Sequence, residues 1–132
     1  MVMDLVVTSG VLATVLKEAT RTAPQEACGL LLGDAMISEA RAAANVAADP
    51  LTRFEIDPTA LIAAHRAARQ GGPELLGYYH SHPNGQPRPS ATDCEHAGGD
   101  GSVWAIAAAG EVTFWRDTPG GFERLSYRVV AG

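Results

Sequence analysis

The chain has 132 residues, 46% of them hydrophobic and 19% charged, which fits one globular domain around a single core and argues against disorder. Its formal net charge is -5 and no Lys/Arg cluster occurs, so neither nucleic acid nor an anionic membrane is an expected partner. No apolar run reaches the ~18 residues of a membrane helix. The opening MVMDLVV carries Asp4 where a signal peptide would be basic, so a cytoplasmic protein is expected.

Taken in chain order, a short strand is expected over residues 4–7. A helix follows through TSGVLATVLKEATRTA, capped by Thr8 or Ser9, with Leu12, Val15 and Leu16 on one face and Pro24 as its stop. The run EACGLLLGD is short, apolar and bounded by turn residues, so it reads as a buried strand, with residues 36–43 as its partner. The stretch NVAADPLTRFEIDP leads into a strand expected around Arg53–Ile56. Asp57 then caps a helix with Pro58 in its first position, running to about Gln70 and stopped by Gly71-Gly72.

ELLGYYH reads as a central strand ending at His80. A proline-rich loop follows, then a short helix from Ser90 to Ala97, then three strands in SVWAIAAAG, EVTFWRD and FERLSYRVV. The order predicts a single α/β domain over residues 1–132, with a mixed or largely antiparallel sheet flanked by helices. Cys28 and Cys94 form no CxxC pair and no disulfide framework; two reduced thiols are expected, Cys28 buried beside Leu30.

The segment HSHPNGQPRPSATD, residues 80–93, stands apart from this mild, Ala-rich background. Side chains alternate in a strand, so His80 and His82 share a face while Ser81 points away. Two imidazoles at a strand end suit a divalent metal, and catalytic zinc takes about three protein ligands with one position open. Asp93 can complete such a set, because a turn at Asn84-Gly85 returns the chain while Pro83, Pro87 and Pro89 restrict its backbone. Each piece also has a plain structural reading. H-x-H can be incidental, the prolines can be a surface turn, and Ser-Ala-Thr-Asp is also a capping box. The three features together are harder to ascribe to chance.

In this sequence HSHPNGQPRPSATD resembles the H-S/T-H-P-x5-P-S-x-x-D motif of the JAMM (MPN-plus) zinc metallopeptidases, with every spacing kept. PQEACGLLLG resembles the family segment that carries its catalytic glutamate, and that match selects Glu26, which spacing alone does not. RFEIDP extends the resemblance toward the second helix. The resemblance implies the MPN, cytidine-deaminase-like fold and one zinc per chain, with His80, His82 and Asp93 as ligands and water in the fourth position. It makes Glu26 the general base that passes a proton to the leaving amine, and Ser90 a donor to the oxyanion of the tetrahedral intermediate. The chemistry is sound in itself: zinc can bring bound water to a pKa of roughly 7, within reach of a carboxylate base.

His65 is expected to be a packed or surface residue, and His96 to lie beside the site or in solvent. Cys94 could be activated at a helix start, yet no partner base is identifiable for a cysteine-protease reading. No H-E-x-x-H occurs. Family members cleave bonds after the Gly-Gly tail of ubiquitin or ubiquitin-like proteins. The short chain resembles minimal, stand-alone prokaryotic members, whose implied substrate is a small ubiquitin-like sulfur carrier with a Gly-Gly tail, in sulfur transfer or cysteine synthesis. Two rivals are an inactive MPN-type scaffold, which would be expected to lack one of the five residues, and a RadC-like domain with a similar loop. The PQEACGLLLG segment favours the peptidase.

Overall fold

The computed structural model describes residues 5–132. Among them the chain forms β1 (Leu5–Thr8), α1 (Ser9–Thr22), β2 (Cys28–Gly33), β3 (Ile37–Ala43), α2 (Pro58–Arg69) and β4 (Glu74–Ser81). There follow α3 (Ala91–His96), β5 (Val103–Ala108), β6 (Glu111–Thr118), β7 (Gly121–Leu125) and β8 (Tyr127–Val130). The strand expected from residue 4 thus begins at Leu5, and residue 4 itself lies outside the described residues. None of these helices is long and apolar enough to cross a membrane.

The eight strands form one mixed sheet in the order β7-β6-β5-β4-β2-β3-β1-β8. Pairing is parallel between β4 and β5 and between β1 and both β3 and β8, and antiparallel elsewhere. The last apolar run, expected as one strand, is two. β7 ends at Leu125 and pairs with β6, while β8 starts at Tyr127 and pairs with β1 at the opposite edge. One residue separates two edges of an eight-stranded sheet, so the sheet must curl until they meet. Twist accumulates in one sense across successive strands, which makes such curling natural in a wide sheet. The Tyr127 hydroxyl crosses the gap and donates to the Val112 carbonyl at 3.0 Å.

Inside the curl lies α1, packed against β1, β3, β4, β5 and β6. Val11 and Val15 sit at the centre of its buried face, with Leu12 and Leu16 half-buried beside them. Thr8 is its N-cap residue by position, without a capping hydrogen bond from its side chain. The outer face of the sheet is covered by α2, whose Asp57 side chain accepts from Thr59 N at 3.0 Å as the Asp-Pro start implies. Cys28, Leu30, Leu32, Ile56 and Ala64 form the core beneath it. All six residues of β2 are buried, consistent with a strand covered on both faces.

The strand expected at Arg53–Ile56 does not form; only one isolated bridge joins Ile56 to Asn45. Asn45 explains the difference. Its amide donates to the carbonyls of Glu26 (3.0 Å) and Arg53 (3.1 Å), and its oxygen accepts from Ala47 N and Glu55 N, both at 3.1 Å. These bonds satisfy the backbone groups that a ladder would otherwise use. The connection therefore folds as a side-chain-tied loop over the start of β2.

Candidate metal centre

Strand register brings the chemistry together. β2 and β4 are antiparallel with Cys28 opposite His80. Continuing that register one step sets Ala27 beside Ser81, and two steps set Glu26 beside His82, on the face of the sheet that also carries His80. Ser81, on the other face, fastens this extension: its hydroxyl accepts from Ala27 N at 2.8 Å and its own N–H donates to the Ala27 carbonyl at 3.1 Å. That role was not visible in the sequence. On the other side of β4, His82 N donates to the Ala107 carbonyl at 2.8 Å and ties the histidine end to β5.

Glu26 is 7% exposed. Its backbone is satisfied by the loop folded over it, since Glu26 N donates to the Pro50 carbonyl at 2.8 Å and Asn45 donates to its carbonyl. The carboxylate therefore faces the cleft with its main chain locked. Burial raises it from 4.5 to about 7, an effect opposed by His82 and reinforced by Asp93.

After β4, Gly85 N closes a turn on the His82 carbonyl at 3.2 Å, and the loop wraps the histidine itself. His82 Nδ1 donates to the Gln86 carbonyl at 2.8 Å, which fixes the ring with Nε2 toward His80 and Asp93. At the start of α3 the expected capping box is present. Ser90 Oγ accepts from Asp93 N at 3.1 Å, and Asp93 Oδ2 accepts from Ser90 N at 2.9 Å. Capping and a site role are compatible here, because the hydroxyl accepts at Asp93 N and still has its hydrogen to donate.

The result is a small triangle of donor atoms. His80 Nε2 and His82 Nε2 are 3.0 Å apart, and each lies 3.1 Å from Asp93 Oδ2. Glu26 joins the two histidines in a wider group, with ligand atoms within 4.8 Å of one another. His80 is fully buried, stacked on Phe54 at 4.3 Å and edge-on to Trp104 at 5.6 Å. Burial holds His80 below its usual range despite the pull of Asp93. Burial acts the same way on His82, but its hydrogen bonds to Asp93 and Gln86, with the Asp93 and Glu26 charges, lift it above that range. Asp93, although burial would raise it, is held well below the usual carboxylate range by its bonds to His80 and His82.

The donor set fits a divalent cation. Two imidazole nitrogens and a carboxylate oxygen this close share protons in the metal-free chain, and a divalent cation among them would take the place of those protons. The ligand edges of a tetrahedral zinc with bonds of about 2.0–2.1 Å are roughly 3.3 Å, close to the observed triangle. The other histidines stay out of it: His65 is exposed on α2, and His96, exposed on α3, lines a separate pocket with Phe54 and Trp104. Cys94 is exposed, whereas Cys28 is buried, its Sγ near the Ala43 and Ala44 carbonyls, and its thiol is pushed up to about 12.

A buried glutamate beside two imidazoles, on a curled mixed sheet that wraps its first helix, belongs to a JAMM-type hydrolase. The chain is a member of the family described as prokaryotic homologs of the JAB domain, whose model matches residues 8–118. It is 38% identical over 110 residues to a Desampylase of Haloferax volcanii, covering 80% of this chain and 79% of that one. Identity is also 38% over 93 residues to a probable TtuB-protein conjugate cleaving protease of Thermus thermophilus, covering 70% and 63% of the two chains. A solution structure of a protein from Desulfitobacterium hafniense superposes with a TM-score of 0.85 at 25% identity, over 97% of this chain and 94% of that one. A JAB1/MPN domain protein of Archaeoglobus fulgidus gives 0.66 at 20% identity, over 96% and 98%, and shows the same fold.

The raised Glu26 carboxyl has a consequence in the metal-free protein. The folded chain keeps that proton up to about 7, whereas the unfolded chain releases it near 4.5. Stability from this group is thus full below the lower value and is lost as pH rises through the upper one. Glu26→Gln lacks the titration, so its stability relative to wild type should rise from about pH 5 to pH 8. Denaturant unfolding in chelator measures it; a pH-independent difference would mean that Glu26 titrates as an ordinary surface carboxylate.

Proposed function

We propose that the chain is a zinc peptidase that cleaves the bond following the C-terminal Gly-Gly of a small ubiquitin-like carrier protein. The observation that carries the reading is the triangle of 3.0–3.1 Å formed by His80, His82 and Asp93, with Glu26 buried alongside. The relatives named for desampylation and for cleaving a protein conjugate support the carrier as substrate class. His80 Nε2, His82 Nε2 and Asp93 Oδ2 would hold the zinc. Bound there, the ion would acidify water to a pKa of roughly 7 and polarise the scissile carbonyl.

The remaining work falls to side chains of the chain itself. Glu26 lines a cleft of about 380 Å³ with His82, Asn84, Gln86 and Ser90, open to a polypeptide tail. Its carboxylate takes the proton of the attacking water and returns it to the nitrogen of the leaving amine. Ser90 Oγ donates its hydrogen to the carbonyl oxygen as negative charge builds there. Phe54 and Trp104 keep the far side of His80 dry, which strengthens each of these polar contacts.

A carrier fused through its Gly-Gly tail to a reporter peptide tests the reading. Cleavage after the second glycine should require zinc, stop with chelator and return when zinc is restored. Cleavage that persists in chelator, or occurs elsewhere in the tail, would contradict it. Within this reading Ser90→Ala should retain zinc and slow turnover by about 10²–10³-fold, the effect of one oxyanion donor. Loss of the cap would separately cost about 1 kcal/mol of stability. A variant that is less stable yet turns over at the wild-type rate would reduce Ser90 to its cap.

A further inference from the structure

The proposed ligands differ in how they are held. His80 lies at the end of β4 and His82 just past it, held to β5 by its N–H, but Asp93 and Ser90 ride on the segment 83–99, a loop and one short helix outside the sheet. On both sides of α3 that segment is fastened to β6, a strand that supplies no ligand. At the incoming end, Thr113 Oγ1 donates to the Pro87 carbonyl at 2.6 Å, and Trp115 Nε1 donates to Thr113 Oγ1 at 2.9 Å. The indole N–H occupies an acceptor site of the hydroxyl and leaves its hydrogen for Pro87. At the outgoing end, the buried carboxylate of Asp117 accepts from Gly98 N at 3.1 Å and Gly99 N at 3.0 Å, just beyond α3.

Thr113, Trp115 and Asp117 are two residues apart along one strand, so they share a face. It is the metal face: Thr113 pairs with Ile106, and Ile106 with His80. The Pro87 carbonyl also directly follows that of Gln86, which holds the His82 Nδ1 proton. We propose that Thr113, Trp115 and Asp117 are positioning residues, a strip on β6 that sets where Asp93, Ser90 and the His82 ring stand relative to His80. They touch neither metal nor substrate. They act by pinning the backbone on both sides of the helix that presents the third ligand.

The inference rests on the zinc reading above, and its test separates the two. In the full chain, Thr113→Val and Asp117→Asn should each weaken zinc, measured by chelator competition, by about 10–100-fold, as expected when support for a ligand is lost. Thr113→Ser, which keeps the hydroxyl, should bind as wild type does. Without metal, amide hydrogen exchange between residues 84 and 99 should quicken in both weakened variants while β2 and β4 keep wild-type protection. Should Thr113→Val fail to fold, Trp115→Phe leaves the hydroxyl in place and should shift affinity in the same direction. Folded variants with wild-type zinc affinity, or exchange quickened evenly over the chain, would overturn the strip as a positioning device. A wild type that binds no zinc would instead overturn the metal reading, while exchange confined to 84–99 would still support the strip.

Discussion

Glu26→Gln should leave the fold and zinc binding intact while cutting cleavage after a Gly-Gly tail by about 10²–10⁴-fold, the range for loss of a positioned acid–base group. The upper end is expected, because in the proposed reaction one carboxylate serves both steps, taking the proton of the attacking water and supplying the leaving amine. Gln keeps the length of the side chain and a hydrogen-bond acceptor, but it cannot accept that proton. The backbone of residue 26 should not move, since Pro50, Asn45 and the Ala27–Ser81 pair hold it without using the carboxylate. Removing a carboxyl whose pKa burial raises to about 7 should also stabilise the metal-free fold as pH rises past neutrality. Wild-type turnover in the variant would leave Glu26 as no more than a buried carboxylate at the mouth of a strand.

Asp93→Asn is expected to have the larger effect on the metal. Zinc held by four ligands in small domains gains about 10–16 kcal/mol, or roughly 3 kcal/mol per ligand, so losing one should weaken binding by about 10²–10³-fold. Activity at limiting zinc should fall with it. The substitution also removes the anion that lifts His82, so the imidazole should titrate lower in the metal-free variant than in wild type. Chelator competition and the pH dependence of the His82 ring resonances read the two effects separately. Unchanged zinc affinity would shift the third ligand to Glu26, which lies with both histidines in the wider group.

Much of the site was legible because it is local. The two-residue period places His80 and His82 on one face, and the Ser-x-x-Asp spacing places Ser90 and Asp93 at a helix start; the two Nε2 atoms do meet, although β4 itself ends at Ser81, and the helix start is present. Glu26 was different. It lies more than fifty residues before His80, and its place beside His82 depends on strand register, which no local pattern encodes; only the family resemblance singled it out. The same non-locality hid the hydroxyl of Ser81 on Ala27 and the stacking of Phe54 on His80.

Two elements depart from the sequence expectation for related reasons. The stretch Arg53–Ile56 has the composition of a strand, but Asn45 takes up its backbone groups from the side. The final run has continuous strand propensity, yet it changes partners across Ser126 because the sheet has curled until its edges meet. Propensity is a statement about one segment, whereas both outcomes were decided by what the segment pairs with.

The chemistry of the site depends on which atoms hold the metal. Zinc-edge anomalous diffraction from crystals of the zinc-loaded protein locates the ion directly. The expected result is a single peak per chain bonded to His80 Nε2, His82 Nε2 and Asp93, with Glu26 outside bonding distance and facing the open position. A peak bonded to Glu26 with Asp93 free, or no peak between the two histidines, would contradict it.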